Sequence, residues 1–536
     1  MRRRRLLAPL CALALLPALA PAQSFPTDDP VLRRIWTLGM DSSRAARYAQ
    51  VLTDSIGPRL TGSPGQKAGN AWLLATYKEL GIDARNEQYG TWAGWRRGTS
   101  HLDLMTPRVR SLEATMLAWS PGTNGKDVQA GTIILPDLAD SAAFRAWLPQ
   151  ARGKFVLVSM AQPTCRPDDN WEKFATPASF QKMKADRAVA ATAWSARVAR
   201  TGYTARTLPK ALEQAGAAGV LTSLWSAGWG VTKIFQARTE RVPSFDLSCE
   251  DYGLVYRLTE NGQGATLRAR ADAQKLGDVP VFNTIATIRG SEKPDEYVML
   301  SAHFDSWDGS SGATDNATGT VTMLEAMRIL RSVYPKPKRT ILVGHWSGEE
   351  QGLNGSRAFA ADHPEIVKGL QALFNQDNGT GRIVRIGGGG LPDGAQHVSR
   401  WLSQLPIDFQ QQVTFSGPGT PSSGGSDDAS FACYGAPAFG LGALGWDYGA
   451  YTWHTNRDTY DKIVFDDLKS NATLTAMLAY LASEDPTMVT RERVDLAALA
   501  AQRAAAGNGA RAGRGRGPTE WPTCTKAARS TKPRLQ

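Results

Sequence analysis

The stretch HFDSWDGSSGATDNATGT, residues 303–320, sets one histidine, three aspartates and an asparagine directly after the apolar run YVMLSA. Similar polar positions recur downstream: Glu349-Glu350 in HWSGEEQG, Asp377 in FNQDNG and His454 in YTWHTNRDTYDK. With His303 and Asp315 these make two histidines and four carboxylates. Imidazole nitrogen and carboxylate oxygen are the ligands a pair of zinc-like ions takes. A carboxylate between two ions can bridge them, and two divalent cations cancel the repulsion among the gathered acids.

Each residue also has a plainer reading. His303 alone fits a core histidine. Asp315 or Asn316 fits a cap for the helix starting near Ala317. Glu349-Glu350 fits helix-start acids favoured by the helix dipole. Asp377 fits the start of a turn with Asn378-Gly379. Asp308 is read as a solvated loop acid. His345 sits inside an apolar run and is read as core or as support for a ligand. His101, His363 and His397 are read as surface. The plain readings are separate accidents, whereas a metal site accounts for the main set together.

The elements that must position this set alternate. YVMLSA, RTILVGHWS, LQALFNQD and APAFGLGAL read as strands. TGTVTMLEAMRILRSV and NGSRAFAADH read as helices between them, and DDLKSNATLTAMLAYLASE as a closing amphipathic helix with Leu474, Leu478 and Leu481 on one face. Such alternation predicts an α/β fold: a mostly parallel mixed sheet sandwiched by helices. In open sheets of this kind ligands bind beyond the carboxyl ends of the strands, where these residues fall. Residues 47–90 read helix, Gly/Pro break, helix, strand. From about Ser111 to Asp272 the texture changes to short β-rich runs, with a helical insertion over 168–206. No internal repeat is visible.

HFDSWD…GATDNATG, EEQG, QDNG and HTNRDTYDK together resemble the co-catalytic di-zinc exopeptidases, an aminopeptidase/carboxypeptidase family, and within it the carboxypeptidase Q group. DSIGPRLTGSPG and the W…RG of WAGWRRG are similar to that group too. The resemblance spans about Arg47 to Asp485. It implies a zinc-exopeptidase fold, with residues 23–110 and 273–490 as a discontinuous peptidase domain and 111–272 as an inserted β-rich protease-associated domain. It implies two zinc ions per chain. His303 and Asp377 would hold one ion, Glu350 and His454 the other, with Asp315 bridging. Glu349 would be the general base and Asp305 an acid behind His303. The Asp315–Asn316 peptide would be cis. Tyr448 and Tyr451, near His454, are candidates for substrate or oxyanion contacts. Where many relatives read Ser-Asp-His, this chain reads Ser426-Asp427-Asp428, which puts recognition of the substrate terminus in doubt.

The chain has 536 residues and a net charge of +11. Four arginines near the N-terminus contribute +4 and residues 501–536 contribute +7, so the body is neutral. The basic balance therefore gives no sign of a nucleic-acid-binding core. Residues 1–22 read as a signal peptide, with a basic start, an apolar middle and Ala20-Pro21-Ala22 at the cleavage point. No other run is apolar enough to span a membrane. A secreted or periplasmic protein is expected. Residues 491–536 are read as a basic, disordered tail. Beyond Cys11 the chain holds Cys165, Cys249, Cys433 and Cys524. Two disulfides have three possible connectivities. Cys165–Cys249 is preferred, since both lie in one segment, leaving Cys433–Cys524 to pin the tail; unpaired thiols stay open. Three Asn-x-Thr sequons, at Asn316, Asn378 and Asn471, give no proof of glycosylation.

The expected function is an exported metallo-exopeptidase acting on dipeptides or short peptides. An aminopeptidase of the same family is the alternative, and a non-catalytic receptor-like protein or a one-zinc glutaminyl cyclase more distant ones. Peptide is the expected partner, and a homodimer is compatible with the sequence.

Overall fold

The structure, a computed structural model, describes residues 25–505 and 518–531. The signal peptide read at 1–22 lies outside the described residues. Among the described residues fourteen strands form one sheet. They are β1 (Asp83–Thr106), β2 (Arg110–Ser111), β3 (Ala114–Met116), β4 (Val128–Ile134), β5 (Phe155–Leu157), β6 (Gly219–Thr222) and β7 (Ser244–Leu247), then β8 (Thr266–Ile288), β9 (Lys293–His303), β10 (Arg339–Trp346), β11 (Leu370–Asn375), β12 (Ile383–Gly387), β13 (Thr414–Ser416) and β14 (Ala438–Ala443).

The order is β13-β12-β14-β11-β9-β10-β8-β4-β5-β6-β7-β3, with β1 along the free side of β8. The centre, β10-β9-β11-β14, is parallel, and β8 and β12 run antiparallel on its flanks. The fold is therefore a mixed α/β sheet with helices on its faces. The middle of β9, Val298 to Leu300, is fully buried, as YVMLSA predicts. The helix Thr318–Val333 has the bounds expected of its sequence.

The closing helix, Phe465–Glu484, differs from expectation. It is buried on every side from Asn471 to Ser483, not amphipathic. The reason is tertiary: the N-terminal segment covers the face that would meet water. Gly39 there approaches so closely that a Cβ would lie 2.1 Å from Thr473 Oγ1. Thr473 satisfies its own hydroxyl by donating to Lys469 O, four residues back.

Residues 111–272 are α/β, not β-rich. Helices Ser141–Trp147, Pro177–Arg200, Leu208–Gln214 and Cys249–Glu260 accompany strands of three to seven residues. β4, β5, β6 and β7 are mutually parallel, and parallel neighbours need crossovers, usually helical. The expected boundary at 272/273 falls inside β8. That strand and β1 make one long antiparallel ribbon shared by both halves of the sheet, with register shifts at Gly90, Gly94 and after Arg97. A second apolar core, around Trp95, Phe155, Phe245 and Leu267, lies in this half.

Both preferred disulfides are present, Cys165–Cys249 and Cys433–Cys524. The tail departs from the disordered reading. Residues Leu496–Ala505 form a helix, and residues 518–531 pack on the body. There Trp521 Nε1 donates to Ala432 O, and Thr91 N to Arg529 O, each at 2.9 Å. Residues 506–517 and 532–536 lie outside the description. Asn316 and Asn471 are buried, so those sequons are closed in the folded chain. Among the described residues no helix is long and apolar enough to cross a membrane.

Candidate metal centre

β9, β10 and β11 lie side by side, with Trp346 opposite His303 and Asn375 opposite Ser301. Their carboxyl ends therefore deliver His303, Glu349-Glu350 and Asp377 to one place. Asp315 comes from the turn that opens the helix Thr318–Val333, and His454 from the loop after β14. His303 Nε2 lies 3.1 Å from Asp377 Oδ1 and 3.3 Å from Asp315 Oδ1. His454 Nε2 lies 3.2 Å from Asp315 Oδ2 and 2.9 Å from Glu350 Oε2. Asp315 thus turns one oxygen to each histidine.

Two groups of ligand atoms stand close enough to share an ion: His303, Glu349 and Asp377, and His303, Asp315 and Glu350. Asp315 Oδ2, Glu350 Oε1 and His454 Nδ1 are buried without a hydrogen-bond partner. Orphaned buried oxygens are costly unless something positive meets them. The electrostatics agree. Burial opposes charging of His303, yet Asp377 and Glu349 hold its pKa well above the usual histidine value. Burial opposes His454 as well, and Glu350 and Asp315 push it up to about 10. The field that draws protons onto both imidazoles is one a divalent cation would satisfy, so the residues fit a metal.

A model of peptidase family M28 matches residues 283–479, the stretch that carries all of these side chains. That stretch matches peptidase family M28, and the rest of the chain lies outside the match. The chain is 24% identical over 460 residues to carboxypeptidase Q of Xenopus laevis, covering 84% of this chain and 88% of that protein. Against carboxypeptidase Q of Homo sapiens the figure is 24% over 342 residues, 64% of this chain and 66% of the relative. The fold resembles that of a peptidase M28 precursor from Shewanella amazonensis SB2B, with a TM-score of 0.64 at 24% identity, covering 86% of this chain and 97% of that one. It also resembles a zinc aminopeptidase from Bacillus subtilis, with a TM-score of 0.51 at 18% identity, covering 84% and 97%.

With this geometry several plainer readings are decided. Asn316, not Asp315, serves the helix start: its Oδ1 accepts from Gly319 N at 3.0 Å. The Asp315–Asn316 bond is cis. Asp305 meets His303 through its backbone, His303 Nδ1 lying 3.0 Å from Asp305 O, while its carboxylate stands 3.7 Å off. That carboxylate instead accepts from the backbone of Glu349 and Glu350, at 3.2 and 3.4 Å, and from the Thr61 hydroxyl at 3.1 Å. Burial, with help from Asp377, Glu350 and Asp427, raises the Glu349 pKa well above the ordinary glutamate value despite His303. Burial likewise takes Glu350 up to about 7, His454 opposing.

The two tyrosines part company. Tyr448 feels Asp315, Asp377 and Glu350, and burial with these acids raises its pKa well above the usual tyrosine value. Tyr451 packs against Gly228, where a Cβ would lie 3.0 Å from its ring. His345 is core: its Nε2 lies 2.7 Å from Tyr77 Oη. Two surface readings are corrected. Asp308 is buried by a two-pronged pair with Arg97, at 2.6 and 2.8 Å. His397 is buried with Asp485, 3.0 Å away, and Trp401. Asp308 is read from its loop and His397 from its lack of a metal-motif context, and neither carries information about a distant partner.

Sequence reasoning missed Asp458 and Arg59. Asp458 accepts from Thr314 N at 2.7 Å and Asp315 N at 3.0 Å. Arg59, fully buried, donates to Gly57 O, Phe304 O, Ser311 O and Gly312 O. Both lie inside quoted motifs, HTNRDTYDK and DSIGPRLTGSPG, which was the available signal. His454 has a left-handed backbone, φ 55°, a state that costs a non-glycine residue about 1–3 kcal/mol. Trp453 stacks on its ring at 4.0 Å and Phe235 meets it edge-on at 5.1 Å.

Proposed function

We propose that this chain is an exported di-zinc exopeptidase that cleaves dipeptides or short peptides, carboxypeptidase Q-like in substrate. The observation that carries the reading is Asp315 set between His303 and His454, with Glu349 in the group around His303 and Asp377. His303 and Asp377 would hold one zinc, His454 and Glu350 the other, and Asp315 both. Zinc, when bound, acidifies water and polarises a scissile carbonyl. Glu349 takes the proton of the attacking water on its carboxylate and passes it to the departing amine. Its raised pKa suits a group that must carry a proton between those two steps. Asp305 holds the Glu349-Glu350 backbone in place. Tyr448, bordering the acids, is the better placed of the two tyrosines to donate to the developing oxyanion. Residues 111–272 would be a protease-associated insert bounding the cleft, and the N-terminal sequence supports export.

One observation favours the aminopeptidase reading. Asp427 is fully buried with both oxygens unpartnered, and Asp428, also buried, stands beside it. Burial raises their pKa values, Asp427 to about 8 and Asp428 to about 6, and a cationic amine would offset that cost where a carboxylate would add to it. Metal analysis together with free, amine-blocked and carboxyl-blocked dipeptides decides between them. A carboxypeptidase or dipeptidase loses the carboxyl-blocked substrates. An aminopeptidase loses the amine-blocked ones, and loss of neither rejects an exopeptidase.

A further inference from the structure

The loop of residues 223–238 in the second half of the sheet leaves β6 and reaches the chain around His454. Ile234 N donates to His454 O at 2.8 Å, and Asn456 N to Thr232 O at 3.2 Å. Lys233 and Thr455 form an antiparallel bridge. Thr232 N donates to Asn456 Oδ1 at 2.9 Å, and Lys233 Nζ to Trp453 O at 2.5 Å. The root of the loop is held from behind. Asp246, buried on β7, accepts from the Thr222 hydroxyl, from Leu224 N and from Lys233 N, each at 2.8 Å. One carboxylate therefore staples both ends of residues 224–233.

We propose that this loop is a positioning device for His454, with Asp246 and Lys233 as its two key side chains. It rests on the reading of His454 as a metal ligand. The residues around His454 form no strand of their own, and its backbone is left-handed. A borrowed strand edge supplies what the local sequence does not: a fixed carbonyl at His454, and fixed amides and carbonyls at its neighbours. Phe235, next in the loop, adds an aromatic wall against the imidazole. Residues more than 200 positions before His454 thereby set where its Nε2 points.

The test uses D246N and K233M in the full chain. D246N keeps the shape and leaves an acceptor for Thr222 and Leu224. It turns an N–H₂ toward Lys233 N, so the staple opens at one point only. K233M keeps the stem beside Trp453 and removes the donor to Trp453 O. Zinc affinity is read by chelator competition and backbone protection by hydrogen exchange. Partners that orient a ligating histidine are typically worth about 10–100-fold in metal affinity. The expected result is a loss of that size for one of two ions, with the other unchanged, and faster exchange confined to 230–236 and 450–458. K233M should shift both readouts in the same direction, and it carries the test alone if D246N does not fold. Unchanged exchange over 450–458 in either folded variant overturns the proposal. So does equal loosening of both ions with faster exchange throughout. If the parent itself binds fewer than two ions, the di-zinc reading fails separately, and exchange at the Ile234 and Asn456 amides still reads the clamp.

Discussion

Asp458 holds Asp315 by the backbone: its Oδ2 accepts from Asp315 N at 3.0 Å, while its Oδ1 takes Thr314 N at 2.7 Å. The side chain that faces both histidines is therefore oriented by a second acid from the loop that carries His454. Asp458→Ala removes both acceptors and strands two buried amides, each worth about 1–3 kcal/mol when unsatisfied. Zinc affinity should fall about 10–100-fold, and Asp458→Asn, which keeps one acceptor, should lose less. Calorimetric zinc titration checks this; parent-like affinity in Asp458→Ala rules out the positioning role.

Glu349 and Glu350 are adjacent in sequence, and their substitutions should have opposite metal signatures. Glu349→Gln should keep both ions and lose about 10²–10⁴-fold in kcat, the usual worth of general acid–base catalysis. Glu350→Gln should lose one ion and recover part of its activity at raised zinc. Elemental analysis beside kinetics separates the two, and the reverse pattern would exchange the assigned roles.

His345 makes stability depend on pH. Burial pushes its pKa down to about 3, against about 6.5 in the unfolded chain. Below about pH 6.5 the unfolded chain gains a proton that the folded chain refuses. Stability is therefore full above that pH and declines as the pH falls toward about 3, at up to about 1.4 kcal/mol per unit from this group. Urea unfolding of the parent and of His345→Gln, between about pH 7 and about pH 5, tests it. The variant should be less stable at pH 7 but show a shallower fall; equal slopes would show that His345 is not the source.

The Cys433–Cys524 bridge closes a loop across 91 positions and ties the 518–531 segment to the body. Replacing both cysteines by serine should cost about 2–4 kcal/mol. It should also open residues 518–531 to proteases while leaving zinc content unchanged. A parent-like melting temperature and cleavage pattern would mean that the Trp521 and Arg529 contacts suffice alone.

How much was legible in advance varies residue by residue. His303, Glu349, Glu350 and Asp377 follow apolar runs that can only be buried strands. The parallel order then brings their ends together, so the run and the acid after it nearly suffice. Asp315 and Asn316 were ambiguous because either side chain can cap a helix. The choice fell to Asn316 only once Gly319 N and Gln376 O were both within its reach. Asp308 and His397 looked like surface residues because their partners, Arg97 and Asp485, are far away in sequence.

By itself the sequence determined the alternation of strands and helices and the set of candidate metal-binding side chains. These depend on residue type and on neighbours within a few positions. Tertiary structure alone decided which oxygen of Asp315 meets which histidine and that the closing helix is buried all round. It also decided that 111–272 is α/β on a shared ribbon, and that a loop from that half grips the backbone of His454. Those outcomes turn on contacts and burial between segments that sequence neighbours do not specify, and where they run through the backbone, an amide is nearly the same chemical group in every residue.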